Sequence, residues 1–375
     1  MESNQRIKVL VATGLYPPEI GGPATFVKML EENLDSSQFE LTVVPFTQVR
    51  KYPKIFRHII FFFKLLSQAR AQDIILALDG VSVGLPAALV AKIKHLPFIV
   101  RLGGDYAWEQ GRLRFNVTES LDDFYAAKSL PFFVKFLTKV QAWVVSTAVK
   151  VIAPSEYLKS IVSKWENNQE KIKVIYSVPS LPLSVEKQVS SSDSQIIWSI
   201  ARLVPWKGFE TLIKVVGELQ SEYPNLLLKI IGDGPEEQKL TKLIQELGLE
   251  KQVVLTGRLS HSELIKQINE VNMFVLNTEY EGFSHLVLEM MRLKVPVVTT
   301  NVGGNPELVS NNETGLLVEY NNELEIKNAI ISLLEDTVKA AQLSENAYQK
   351  SLQYTKENSV KEIAATIMQV LNKNI

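Results

Sequence analysis

Glu281 and Glu289 stand with seven residues between them in NTEYEGFSHLVLEMMRLKVPVVTT, and those intervening residues decide what the two carboxylates can do. Gly282, Phe283 and Ser284 carry the signals that turn a chain from a buried strand into a helix, which predicts a helix beginning near Ser284. Such a helix aims its unpaired backbone N–H groups and the positive end of its dipole at the loop, which favours an anion there. Glu289 would lie about one and a half turns further on. A carboxylate accepts from two vicinal hydroxyls at once, which suits a ribose or a sugar ring. The spacing alone is equally compatible with Glu281 capping the helix and Glu289 standing in solvent.

A second cluster is ARLVPWKGFETLIKVV, where Arg202 and Lys207 follow an apolar run and Gly208 precedes a helical pattern. Two cations gain nothing from the positive end of a helix dipole. They do gain if an anion lies between them, because an arginine forks onto two phosphate oxygens while a lysine acts as a point charge. The plainer reading is a solvated loop built on a Pro-Trp turn. In GLYPPEIGGPATF, Gly21 and Gly22 open a helix where a missing Cβ lets backbone approach a phosphate or sugar, and turn-making alone would also explain them. In IIGDGPEEQKL, Gly232 and Gly234 invite a dinucleotide reading, but Glu237 stands in place of the third glycine of that fingerprint. No ribose-binding acid ends the strand about 20 residues on, so a tight strand-to-helix turn is preferred. In RLGGDYAWEQGRLRF, Asp105 occupies a Gly-rich turn, with Trp108 and Glu109 following. One aromatic and two carboxylates make a sensible sugar platform; a loop packed on its own tryptophan is equally sensible.

The elements that must position these residues alternate in type. Apolar runs at 7–13, 39–46, 73–78, 98–102 and 150–155 read as strands separated by helical patterns such as 23–34. Residues 177–195 are rich in Ser and Pro and read as a linker. The alternation restarts with strands at 196–203, 225–234, 252–258, 273–278 and 295–300. Buried β-branched strands separated by helices specify a parallel sheet with right-handed crossovers. The expected fold is therefore α/β, two Rossmann-like doubly wound lobes facing across a cleft, with ligand loops at the carboxyl ends of the strands.

Composition narrows the function. Hydrophobic residues make up 46% and charged residues 22% of the 375, as in a globular protein, and the formal net charge of −1 gives no global reason to expect nucleic acid. There is no cysteine, so disulfides, thiolate metal sites and cysteine nucleophiles are excluded, and the four histidines (58, 95, 261, 285) offer no i, i+4 pair for a helical zinc site. The opening MESNQRIKVLVATG lacks the pattern of a secretory leader, and no apolar run approaches the ~20 residues that span a bilayer, so a cytoplasmic location is expected.

Taken in order, Gly21-Gly22, the loop with Arg202 and Lys207, the GDGP turn at 232–235, the Glu281/Glu289 pair and VGGNPELV at 302–309 resemble glycosyltransferase family 4, retaining enzymes of the GT-B fold. The resemblance covers nearly the whole chain. It implies an N-terminal acceptor lobe (1–176), a donor lobe (196–355) after the 177–195 linker, and a helix over 356–375 able to cross back to the first lobe. It implies that Arg202 and Lys207 bind the diphosphate of a nucleotide-sugar donor, that Glu281 meets the transferred sugar and that Glu289 holds the ribose. Gly21, Gly22, Gly282, Phe283 and Ser284 would complete the donor contacts. No metal and no cofactor beyond the co-substrate is implied, and a glycan or lipid-linked acceptor is. A histidine that many members carry after the strand reading FIVRLGGD is missing; Asp105 is the nearest polar substitute, and Ser284 and Met290 replace a frequent Gly and Ala. A GT-B-fold nucleotide-sugar epimerase is the alternative, and an NAD-dependent oxidoreductase a more distant one. Residues 50–70 combine Arg50, Lys51, Lys54, Arg57 and Lys64 with aromatic and aliphatic neighbours, and 129–145 is similar, which fits peripheral contact with an anionic membrane; both would also serve as core helices.

Overall fold

The computed structural model describes residues 6–19, 21–166, 168–176, 178 and 195–372, and the side chains of Lys54 and Ile55 lie outside that description. Two compact units result, Met1–Ser180 with Tyr354–Ile375, and Leu181–Gln353. The linker expected at 177–195 lies outside the described residues except for Val178 and Gln195, and Gln195 already belongs to a strand.

The first unit runs β1 (Ile7–Thr13), α1 (Gly22–Asn33), β2 (Phe39–Pro45), α2 (Lys54–Gln68), β3 (Ile74–Ala77), α3 (Gly84–Lys94), β4 (Phe98–Arg101), α4 (Tyr106–Arg114), α5 (Leu121–Phe124), α6 (Phe132–Thr147), β5 (Lys150–Ala153), α7 (Glu156–Val162) and β6 (Ile172–Val174). The second runs β7 (Gln195–Ile200), α8 (Phe209–Leu219), β8 (Leu226–Ile231), α9 (Glu237–Glu246), β9 (Val253–Gly257), α10 (His261–Gln267), β10 (Val271–Leu276), α11 (His285–Arg292), β11 (Val297–Thr300), α12 (Asn305–Leu308), β12 (Leu316–Val318), α13 (Glu323–Glu335) and α14 (Thr337–Ser351). The last helix, α15 (Lys356–Asn372), belongs to the first unit. Its Ile363, Ile367 and Val370 share a core with Phe26, Val27 and Leu30 of α1.

Both sheets are six-stranded and parallel throughout, in the orders β2-β1-β3-β4-β5-β6 and β12-β11-β10-β7-β8-β9. Strands covered on both faces carry runs such as VLVA (9–12) and IIL (74–76) without alternation, and these residues are 0–1% exposed. Each order reverses once, between β1 and β3 in the first sheet and between β7 and β10 in the second. Right-handed crossovers on the two sides of such a reversal put their helices on opposite faces of the sheet. At the reversal the loops diverge and leave a crevice at the carboxyl ends of the strands, where ligands of open α/β sheets bind. Two of the four edge strands, β6 and β12, three residues each, were not among the expected strands. An edge strand pairs on one side only, so its sequence needs no long apolar run.

Candidate functional site

The two loops that carry the expected site in the second unit leave the two strands that flank its reversal. β7 and β10 are hydrogen-bonded neighbours. After β7 the chain passes Arg202, makes a short 3-10 turn over Pro205–Lys207 and enters α8. After β10 it passes Asn277, Thr278 and Glu281 before entering α11. The loops are stitched together by backbone and side-chain bonds. Glu279 N donates to Trp206 O at 2.9 Å, and Thr278 Oγ1 donates to the same carbonyl at 3.2 Å. Asn277 Nδ2 donates to Gly208 O at 2.9 Å and to Asn321 Oδ1 at 2.8 Å. Asn277 and Thr278 are buried, so these bonds form in a low-dielectric setting that fixes loop geometry.

Lys207 and Glu281 meet as a result. Lys207 Nζ lies 2.5 Å from Glu281 Oε2, the two side chains being 12% and 22% exposed. Lys207 Nζ also reaches Tyr280 O at 3.4 Å. Arg202 is exposed on the same loop as Lys207. An exposed fork of N–H donors and a largely buried ammonium therefore come from one loop, with a carboxylate from the neighbouring one.

Two glycine motifs explain why the loops sit where they do. Gly232 has φ +149°, and a Cβ there would lie 2.0 Å from Ala201 O; a Cβ at Gly234 would lie 2.3 Å from Leu203 O. Leu203 N donates to Asp233 O at 2.8 Å and Glu236 N to Leu203 O at 3.1 Å. The GDG turn is thus the backbone bed of the loop bearing Arg202, which gives its glycines a packing role in place of a dinucleotide one. Gly303, at φ +61°, and Gly304 do the same for the other loop: their Cβ atoms would fall 2.2 Å from Glu281 O and 2.3 Å from Gly282 O. Gly304 N donates to Glu281 O at 2.8 Å.

Ser284 is the N-cap of α11, its hydroxyl accepting from Val287 N at 3.3 Å, so the cap is serine and not Glu281. Gly282, Phe283 and Ser284 are buried where the chain enters the helix. Glu289 is 9% exposed, which removes the alternative of a solvent-facing residue. Its Oε1 lies 2.8 Å from His261 Nε2, the first residue of α10, but not in hydrogen-bonding alignment. Burial raises the Glu289 pKa above the ordinary glutamate value, and the charge of His261 acts to lower it. Nothing along the chain singles out His261, Asn277 or Thr278, since their roles come from contacts across loops.

In the first unit Gly21, at φ +152°, is the N-cap of α1, and its Cβ would strike Leu15 Cδ1 at 2.6 Å. At Gly22 a Cβ would meet nothing within 4 Å. Gly21 is therefore required by the turn, whereas Gly22 is exposed at a helix start with room above it.

Asp105 corrects the expectation of a sugar contact. It is 1% exposed and caps α4, accepting from Trp108 N at 2.9 Å. Tyr125 Oη and Gln141 Nε2 donate to the same carboxylate. Burial pushes its pKa up, and these donors oppose the shift. Trp108 is 0% exposed and its Nε1 donates to Glu119 O at 2.9 Å, so it packs the loop instead of presenting a platform. Arg101, read only as a strand residue, is a cation 3% exposed, 4.2 Å from the centre of the Phe26 ring. Burial lowers its pKa to about 10, so it stays charged at neutral pH.

Residues 183–350 match the family model described as Glycosyl transferases group 1. An uncharacterised glycosyltransferase of Methanocaldococcus jannaschii is 24% identical over 372 residues, spanning 94% of this chain and 96% of that protein. The capsular polysaccharide biosynthesis glycosyltransferase CapM of Staphylococcus aureus is 28% identical over 355 residues, covering 89% of this chain and 88% of CapM. Among solved structures, Anabaena HepE in complex with UDP-glucose superimposes with a TM-score of 0.77 at 20% identity, covering 97% of this chain and 100% of HepE.

Proposed function

We propose that this chain, a glycosyltransferase of the two-lobed GT-B fold, moves a hexose-type sugar from a nucleoside-diphosphate donor to a glycan or lipid-linked acceptor. The reaction would serve cell-envelope or polysaccharide synthesis and proceed with retention at the anomeric carbon. One observation carries the reading: two cations and a carboxylate come from the two strands that flank the reversal of the second sheet, where the fold leaves a ligand crevice. Arg202 and Lys207 there hold a diphosphate. Glu281 faces the sugar, where positive charge develops as the bond from the anomeric carbon to the diphosphate breaks. The capsular polysaccharide role of CapM and the UDP-glucose bound to HepE support the class of acceptor product and of donor.

Retention follows from geometry in which the acceptor oxygen attacks the face from which the diphosphate departs. The bond from the anomeric carbon to the diphosphate oxygen breaks, the new glycosidic bond forms, and the acceptor's proton passes to a diphosphate oxygen. No separate base residue is then required. The charge gathering on the diphosphate is met by Arg202 and Lys207, which supply what a metal ion supplies elsewhere. Transfer should therefore persist in excess EDTA; loss of activity that manganese or magnesium restores would contradict this part of the proposal.

Glu289 holds the ribose, a group unchanged by the reaction. Its removal weakens ground and transition states alike, so Glu289→Ala should raise KM with little effect on kcat and weaken nucleoside-diphosphate binding by titration calorimetry. Hydroxyls donate to the ionised carboxylate, so affinity should fall as pH drops through the Glu289 pKa. That midpoint lies above the ordinary glutamate value. His261 lowers it, so His261→Ala should move the midpoint to higher pH. Unchanged nucleotide affinity in Glu289→Ala would remove the ribose assignment.

A further inference from the structure

We propose that α2, α3 and α6 form a docking face for an anionic phospholipid bilayer, with α3 as its central rib. The inference stands apart from the transfer chemistry and rests on the outer surface of the first unit. α3 packs against both α2 and α6. Each helix has an inner apolar side that fills the core: Phe61 and Leu65 on α2, Val90 on α3 and Val134 on α6 are all 0% exposed. The core's demand is met by those residues, yet each helix carries further large apolar side chains on its outside. Phe56, Ile59 and Phe63 of α2, at spacings of three and four, are 60%, 48% and 61% exposed. Ile93 of α3 is 54% exposed, and Phe132 and Phe136 of α6 are 87% and 51% exposed. The structure thus separates the two readings that residues 50–70 allowed, because one side of the segment is core and the other is not.

Charge identifies the occupant. Across the three helices there are seven lysines and arginines and not one aspartate or glutamate, in a chain with 41 acidic and 40 basic residues. Lys92, Lys135 and Lys139 are exposed beside the aromatic side chains, and Lys92 lies 5.0 Å from the centre of the Trp143 ring, which bridges α3 to α6. Exposed aromatics for the acyl boundary, framed by cations for the headgroups, make an interfacial surface. A second copy of the chain fits it poorly, since a two-fold interface would press this cationic face against itself. A protein partner fits less well than lipid, because lysine is depleted from protein interfaces. Among the described residues no helix is long and apolar enough to cross a membrane, so the contact is peripheral.

Co-sedimentation of the full chain tests the proposal. The chain should pellet with vesicles of equimolar phosphatidylcholine and phosphatidylglycerol at low salt, remain in solution with phosphatidylcholine alone, and be released by high salt. The triple variant Lys92→Ser, Lys135→Ser, Lys139→Ser should lose about fivefold in partitioning per cation removed, equivalent to ~1 kcal/mol each. The triple variant Ile93→Ser, Phe132→Ser, Phe136→Ser should bind weakly even at low salt. All six side chains are exposed, so thermal melting should match the wild type and exclude misfolding as the cause. The proposal is overturned if the wild type ignores the anionic vesicles at low salt or if both variants partition as it does. A solution dimer that these same substitutions break into monomers would also overturn it.

Discussion

Lys207→Ala should lower kcat by about 10²–10³-fold, the cost of removing one pre-positioned contact to a group that gains charge in the transition state. In the proposed reaction the diphosphate is bound throughout but becomes more negative as it departs, so binding of the free nucleoside diphosphate should weaken less than the rate falls. The variant has a second, structural defect. It leaves Glu281, 22% exposed at its side chain, without the ammonium 2.5 Å away. Stranding a largely buried charge costs about 1–3 kcal/mol, less than for a fully buried pair because some solvent reaches it. The double variant Lys207→Met, Glu281→Gln removes both charges and should recover most of that stability. Its rate should stay low, because neither the diphosphate nor the sugar regains its partner. Glu281→Ala alone should lower kcat more than it weakens nucleoside-diphosphate binding. Normal turnover in Lys207→Ala, or recovery of turnover along with stability in the double variant, would show that the pair only holds two loops together.

The sequence carried the fold well because buried parallel strands announce themselves. IKVLVAT and IIWSIARL have no alternation to confuse with a solvated sheet, and apart from the short edge strands β6 and β12 the strands observed lie within or beside the expected runs. What it carried poorly was direction. Asp105 reads as an available carboxylate in a glycine-rich turn, but only the fold brings Tyr125 and Gln141, 20 and 36 residues away in sequence, onto its oxygens. His261 beside Glu289 is hidden for the same reason. Pairings between loops have no periodicity, so no spacing along the chain reveals them. Residues 50–70 show the converse limit: composition fixed their amphipathic character, while only solvent exposure distinguishes the side that meets the sheet from the side that does not.

Gly303→Ala should cost about 3–5 kcal/mol and abolish transfer, although Gly303 is neither a charged nor a hydrogen-bonding side chain. Two penalties coincide there. At φ +61° any residue with a Cβ gives up roughly 1 kcal/mol relative to glycine. The added methyl would also lie 2.2 Å from Glu281 O, well inside van der Waals contact. That carbonyl cannot simply turn away, because Gly304 N donates to it at 2.8 Å and a Cβ-free Gly304 already sits against Gly282 O. Relief requires the loops after β10 and β11 to part, which breaks the bond and moves Glu281. Gly248→Ala is the matched control: Gly248 has φ +66°, yet a Cβ there meets nothing within 4 Å. It should lose only the conformational part, about 1 kcal/mol, and keep full activity. Urea unfolding of both variants reads the difference directly. If the two glycines prove equally tolerant, the VGGN turn is not what presses the Glu281 loop into place. Glu281 would then owe its position to Lys207 and to the bonds from Thr278 and Glu279 to Trp206 alone.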